Sequence, residues 1–510
     1  MLARVESATI VGIEAQRVVV EVDVARGKFW FEIVGLPDAA AKEGRERVHA
    51  AIRNSQYLFP GDRTTINLAP ADIKKEGPSF DLAIALGILG ATGQLNADGL
   101  DRCCVTGELS LDGSVRAVNG VLPMTLRARE EGRERMLVPT ANAREAAVVE
   151  GIETYAVDTL YDAVSMLETD FAAAAPVEPA PEELDLAHPP YAEDMADVKG
   201  QPMAKRALEV AATGGHNVIM VGPPGAGKTM LARRVPTIMP PMSLAEALEV
   251  TKLYSVSGKL RGMSLVRTRP YRSPHHTVSD AGLVGGGTTP TPGEISLAHR
   301  GVLFMDELAE FSRSALEALR QPMEDGFITI SRAQASFTYP AKLMVVAAMN
   351  PCPCGHHGDT AKACTCTPHQ IRKYLARISG PLLDRIDLHI EVPRLSTDEL
   401  ERFAPGETSE AIRERVCWAR RAQAQRLAGT DMQCNADLTA AAVREFCHLA
   451  PDVASLLRAA VDQFGLSARA YERILKVSRT IADLEGADSL AVHHVAEAVQ
   501  YRTLDRKLWA

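Results

Sequence analysis

The stretch GPPGAGKT, Gly222 to Thr229, decides the fold. Read residue by residue as Gly222, Pro223, Pro224, Gly225, Ala226, Gly227, Lys228 and Thr229, it fits the pattern G-x-x-x-x-G-K-[ST]. It follows the strand-like NVIMV and precedes the helix-like MLARRV, the context in which this pattern holds phosphate. Glycines let the backbone curl until its N–H groups point at a β-phosphate. Lys228 then reaches the β- and γ-phosphates, and the Thr229 hydroxyl takes a place on Mg2+. ATP and Mg2+ are therefore the expected ligands.

Two further apolar runs end on polar chemistry. GVLFMDE carries Asp306 and Glu307 to the end of a strand. Asp306 is expected to hold Mg2+, and Glu307 to orient or deprotonate the attacking water. KLMVVAAMN ends in Asn350, placed to position that water beside the γ-phosphate, although an Asn there is also an ordinary turn residue. With NVIMVG and IDLHIEV, these runs alternate with helical segments across residues 192–395, the pattern of a largely parallel sheet covered on both faces.

Working outward, residues 1–168 alternate β-like runs such as RVVVEVDV and RTTINLA with helical DLAIALGILGATG, which predicts a second α/β domain. Residues 169–191, rich in Ala, Pro and Glu without apolar periodicity, read as a linker. Over 396–510 candidate strands vanish and apolar residues fall at helical spacing, which predicts a helical lid. Apolar residues are 46% and charged residues 24% of the 510, as in globular proteins, and no apolar stretch reaches the ~18 residues that span a bilayer. The opening MLARVESATIVGIEAQ lacks the regions of a signal peptide, so a cytoplasmic, reducing setting and no membrane partner are expected.

Net charge is −9, so nucleic acid would have to meet a local patch. Between Glu249 and Asp280 the chain carries Lys252, Lys259, Arg261, Arg267, Arg269 and Arg272 and no acidic residue, with His275 and His276 following. This is a candidate phosphate-binding surface, with a solvated face or a subunit contact as the plainer alternative. The hairpin-like GFITISRAQASFTYPAK adds Arg332 near its turn.

On these residues the chain resembles the AAA+ ATPases, and among them the magnesium-chelatase-like branch. The resemblance makes Asn350 sensor 1 and places the basic stretch and the hairpin where such families carry inserts facing the pore of a ring. GPLLDRID, Gly380 to Asp387, is similar to the arginine-finger segment of that branch and of MCM helicases. It assigns Arg385 to a neighbouring subunit's ATP; a pair with Asp384 or Asp387 is the alternative. SARAYERILKVSRTIADL, Ser467 to Leu484, resembles the sensor 2 helix, with Arg469 the first candidate and Arg473 the second.

KKEGPSFDLAIAL, Lys74 to Leu86, and VTGELSLDGSVRAVNGVLPM, Val105 to Met124, resemble the Lon protease domain. Ser79 takes the position of the nucleophile, but Leu122 stands where the lysine base belongs, and Phe80 replaces the glycine that follows the serine. A serine without a base is a poor nucleophile, so a Lon-like fold without proteolysis is expected, with a displaced base such as Lys74 or Lys75 as the alternative. The order Lon-like domain, linker, AAA+ core and lid resembles the YifB/ComM family, whose characterised members are hexameric DNA helicases that promote branch migration as transforming DNA is integrated. The resemblance implies single-stranded or branched DNA as partner and self-association into a ring. A chelatase-like ATPase remodelling a polypeptide is the competing reading.

NPCPCGHHGDTAKACTCTP, Asn350 to Pro368, holds Cys352, Cys354, Cys364 and Cys366 in the spacing C-x-C-x9-C-x-C. In a reducing compartment such a set points to a closed, structural Zn2+ site, with His356, His357 or His369 able to replace one sulfur and an iron–sulfur cluster or free thiols as alternatives. The ion would brace the loop between Asn350 and the segment bearing Arg385.

Overall fold

In the computed structural model, which describes all residues except 76, 97, 261, 288–289, 332–335, 360–361, 396–405, 503 and 505–510, the chain forms two units. One comprises Met1–Leu186 with Ser243–Arg267, the other Ala187–Met242 with Thr268–Ala510. Both are α/β, as the apolar patterns predict. Among the described residues no helix is long and apolar enough to cross a membrane.

The first unit is built on a seven-stranded mixed sheet in the order Trp30–Val34, Arg63–Ala69, Glu14–Ala25, Leu2–Val11, Cys103–Val105, Arg135–Pro139 and Glu153–Val157. The helix Asp81–Ala91 has every residue buried and lies across it. Gly87 permits that approach, since a Cβ there would stand 2.6 Å from Val22 Cγ2. Asp81 at its start pairs with Arg47 at 2.7 Å, and burial raises its pKa to about 6. Ser79, two residues earlier in the chain, is buried, and so is Leu122. Lys75 is fully buried with its ammonium donating to the Pro70 carbonyl, which engages one of the two displaced-base candidates elsewhere. The first part of the Ala/Pro stretch belongs to this unit too, because Phe171 joins the core and Val177 N–H donates to Thr154 O.

The segment Ser243–Arg267 lies within the same unit although its sequence interrupts the ATPase region. Its helix Leu244–Val256 is capped by Ser243 and Glu246 and buries Ala247, Val250 and Leu253. It packs on the helix Val121–Glu130, with Gly120 N–H donating to Ser255 O at 3.2 Å and Lys252 paired to Glu14 at 3.1 Å. Glu145 is buried beside it, hydrogen-bonded by Asn142 at 3.4 Å and by Ser255 at 3.5 Å, and burial raises its pKa to about 7.

The second unit has a five-stranded parallel sheet in the order Tyr271–Arg272, Val302–Met305, Met344–Met349, Val218–Val221 and Leu388–Glu391. Four of these strands are the runs singled out in the sequence. The helices Ser409–Arg426, Ala468–Glu485 and Val492–Gln500 share one apolar core with the sheet. The strands Phe327–Ser331 and Ser336–Pro340 form the predicted antiparallel hairpin, and Arg332 lies outside the described residues.

Candidate functional site

The strand Val218–Val221 runs out of the sheet into Gly222–Gly227, and the helix Lys228–Ile238 starts at the lysine. Gly225 and Gly227 adopt φ +78° and +88°, a region that disfavours side chains, so the loop curls as the motif requires. A cleft of about 450 Å3 opens here, lined by the loop together with Asp306, Glu307, Met349 and Asn350. Parallel pairing explains the convergence: Val302–Met305 and Met344–Met349 end on the same side as Val221, at the carboxyl ends of the strands, where α/β sheets bind ligands.

Lys228 is nearly buried and its ammonium donates to Gly222 O at 2.6 Å, Pro223 O at 3.0 Å and Asn350 Oδ1 at 3.2 Å. Desolvation lowers its pKa, opposed by Asp306 and Glu307. Thr229 Oγ1 donates to Asp306 Oδ2 at 2.9 Å. A hydroxyl and a carboxylate side by side at the mouth of a phosphate loop are hard oxygen donors that fit Mg2+. Glu307 sits at φ +53°, a left-handed conformation costing about 1–3 kcal/mol that recurs at functional sites. Its Oε2 lies 3.2 Å from His276 Nδ1, a partner that the sequence left among the basic residues.

The arginines are placed less uniformly. Arg385 is buried, ion-paired with Glu324 and donating to Pro381 O at 2.6 Å, so neither Asp384 nor Asp387 is its partner. Asp387 instead takes Arg473, which also donates to Arg385 O at 2.9 Å. Arg469 is exposed in the first turn of the helix Ala468–Glu485. None of the three lines the cleft.

The basic stretch turns inward. Arg269 donates to Pro240 O and Arg300 O, each at 2.6 Å, and Arg272 makes a two-pronged pair with Glu294 at 2.6 and 2.7 Å. Arg267 is held by the carbonyls of Glu182 and Asp185. These guanidinium groups hold backbone carbonyls and a carboxylate of the protein itself rather than form a phosphate surface. Lys259 is exposed; Arg261 lies outside the described residues.

The four cysteines converge. Their sulfurs all lie within 4.8 Å of one another, with Cys352–Cys354 at 3.4 Å, Cys352–Cys364 at 3.7 Å and Cys354–Cys364 at 3.6 Å. Sulfurs at ~2.3 Å from a tetrahedral Zn2+ stand about 3.8 Å apart, so the donor set fits the ion in both chemistry and size. Among the described residues no histidine joins the cluster; His356 pairs with Asp359 at 2.9 Å. The N–H groups of His356 and Thr365 face Cys354 Sγ and lower its pKa to about 5, which favours the thiolate. A second group, Glu485, His493 and His494, is closed by hydrogen bonding instead: Ala491 N–H donates to His494 Nδ1, which leaves the proton on Nε2, pointed at Glu485.

Fold and site together define an AAA+ ATPase of the magnesium-chelatase-like class. Residues 194–400 match the family described as magnesium chelatase, subunit ChlI; residues 20–142 match subunit ChlI of Mg-chelatase, and residues 406–502 its C-terminal part. The chain is 45% identical over 508 residues to "Competence protein ComM" of Haemophilus influenzae, covering 99% of this chain and 98% of that protein. It is 43% identical over 508 residues to "Uncharacterized protein YifB" of Salmonella typhimurium, with the same coverage. A shorter stretch of 123 residues, 24% of this chain and 22% of the relative, is 31% identical to "Lon protease 2" of Bacillus subtilis. The chain belongs to the YifB/ComM family of magnesium-chelatase-like proteins.

Proposed function

We propose that this ATPase is a ring-forming DNA motor, a hexameric helicase that promotes branch migration when transforming DNA is recombined. The observation that carries the reading is the match along the whole chain to a relative named as a competence protein, on a subunit whose Lys228, Thr229, Asp306, Glu307 and Asn350 converge on one cleft. In this reading the protein works in the cytoplasm. Arg385 acts on the ATP of the neighbouring subunit after leaving Glu324, and Arg469 serves as sensor 2. Thr229 and Asp306 would hold Mg2+, which would screen the phosphates, and the four cysteines would hold Zn2+. Glu307 orients or deprotonates the attacking water while Lys228 and Asn350 hold the γ-phosphate side.

A second reading, a chelatase-like ATPase that remodels a polypeptide, is favoured by one observation: Arg267, Arg269 and Arg272 hold the protein's own backbone and carboxylates. Strand displacement on a three-strand DNA, with Lys228→Ala as the dead control, separates the two. ATP-dependent displacement supports the motor; ATP hydrolysis without displacement, and with no salt-sensitive DNA binding, supports remodelling. Neutralising Lys259 and Arg261 should flatten the salt dependence of DNA binding. Arg269 is unsuitable for that purpose because its loss disconnects backbone carbonyls.

A further inference from the structure

The four-cysteine loop and the helix segment that follows it meet the nucleotide site at three places in the same subunit. Gly355, between Cys354 and His356, holds φ +85° and lies against the phosphate loop: a Cβ there would stand 2.6 Å from Pro224 Cδ, 2.8 Å from Pro224 Cγ and 3.8 Å from Asn350 Cγ. Its N–H donates to Cys352 O at 3.0 Å, so the turn that presents the sulfurs is the turn that touches Pro224. Past Cys366 the helix Pro368–Leu375 begins, capped by Thr367 and Gln370, and the Tyr374 hydroxyl in its last turn faces the backbone N–H of Asn350. Just beyond, Arg377 donates to Ala309 O at 3.2 Å and to Glu310 at 2.7 Å, on the turn that follows Glu307.

Between the strand Met344–Met349 and this helix the described residues form neither helix nor strand. A loop without a ladder of its own is positioned by its cross-links, and a metal bound by four sulfurs ties four points of this chain together at once. We propose that Zn2+ at Cys352, Cys354, Cys364 and Cys366 clamps the phosphate loop, Asn350 and the turn after Glu307 into one arrangement, so that metal loading sets the turnover of the subunit's own ATP site. The inference rests on the zinc reading given above and goes beyond it. The bracing expected from sequence ran toward Arg385 and hence a neighbour's ATP, whereas the contacts here act within one subunit.

The test uses the full-length protein, with metal content by mass spectrometry, binding of a fluorescent ATP analogue, and steady-state hydrolysis. Wild type is expected to hold one zinc per chain. Cys352→Ser with Cys354→Ser should lose it, lower kcat roughly tenfold or more, and weaken nucleotide binding several-fold, because misplacement of about 1 Å in a reacting array carries such penalties. Gly355→Ala keeps all four sulfurs, so it should retain zinc while its methyl group displaces Pro224 and lowers kcat by a comparable factor. Cobalt-loaded Gly355→Ala should show the thiolate-to-metal absorption of a four-sulfur site, which reports an intact loop. Chelation and re-addition of zinc on folded wild type should remove and restore turnover, which serves if the double serine variant does not fold. No zinc in wild type would overturn the zinc reading itself. Wild-type kinetics in zinc-loaded Gly355→Ala and in zinc-stripped wild type would overturn the clamp and leave the zinc reading standing.

Discussion

Glu307 illustrates how a side chain at the end of a strand is made ready for chemistry. The strand Val302–Met305 is buried at every residue, so Asp306 and Glu307 are the first side chains of that run to reach the cleft. Its amide donates to Asp306 Oδ1 at 3.0 Å and its carboxylate meets His276, which fixes backbone and side chain separately. Glu307→Gln keeps the shape and removes the base. Hydrolysis should fall roughly 10²–10⁴-fold while binding of the fluorescent ATP analogue survives; retained turnover would show that another group activates the water. This residue's place was legible in sequence because four apolar residues end on two acidic ones. Its tie to His276 was not, since only parallel pairing of Tyr271–Arg272 with Val302–Met305 brings that histidine near.

Among elements, the helix Leu244–Val256 shows what linear reading could not supply. Its helical character and the basic count around it are visible in the residues, but its destination is not: Lys252 meets Glu14 across 238 positions of sequence. Likewise the strands of the ATPase sheet, the phosphate loop and the cysteine spacing are local patterns and were readable, whereas the partners of Arg269, Arg272 and Arg385 are set by the fold. The helix's docking also carries a pH signature through Glu145. Its pKa rises on folding, from the ordinary 4.5 to about 7, because burial penalises the carboxylate. Folding stability is therefore unaffected below about pH 4.5 and is lost progressively as pH climbs to 7, by on the order of 3 kcal/mol. Glu145→Gln, which cannot ionise, should melt higher than wild type at pH 8, with the gain shrinking toward zero near pH 4.5. A gain independent of pH in scanning calorimetry would refute that assignment.

For the molecule as a whole, the ring proposal makes each ATP site a shared one. Arg385 is held by Glu324 in the isolated subunit, so its service to a neighbour would begin with the breaking of that pair. Arg385→Ala should lower hydrolysis by about 10³-fold or more, as loss of an arginine finger does. Mixing it with Lys228→Ala should restore hydrolysis that neither variant shows alone, because the intact site of one would meet the intact finger of the other. A mixture no more active than its components would place the arginine's role within its own subunit.

The affiliation of Ser243–Arg267 with the first unit has a bearing on how the chain is made and cut. The ribosome releases the strands of the first unit early, but the helix that covers Val121–Glu130 emerges only after the phosphate loop and its helix have been synthesised. The first unit therefore waits, incomplete, while part of the second is already outside. For the same reason a fragment ending near Leu186 would leave the docking face of Val121–Glu130 bare, and one beginning at Ala187 would expose Ala247, Val250 and Leu253 to water. The two halves are interleaved in sequence, so a gene that loses or exchanges the Lon-like half must rewrite the ATPase half as well.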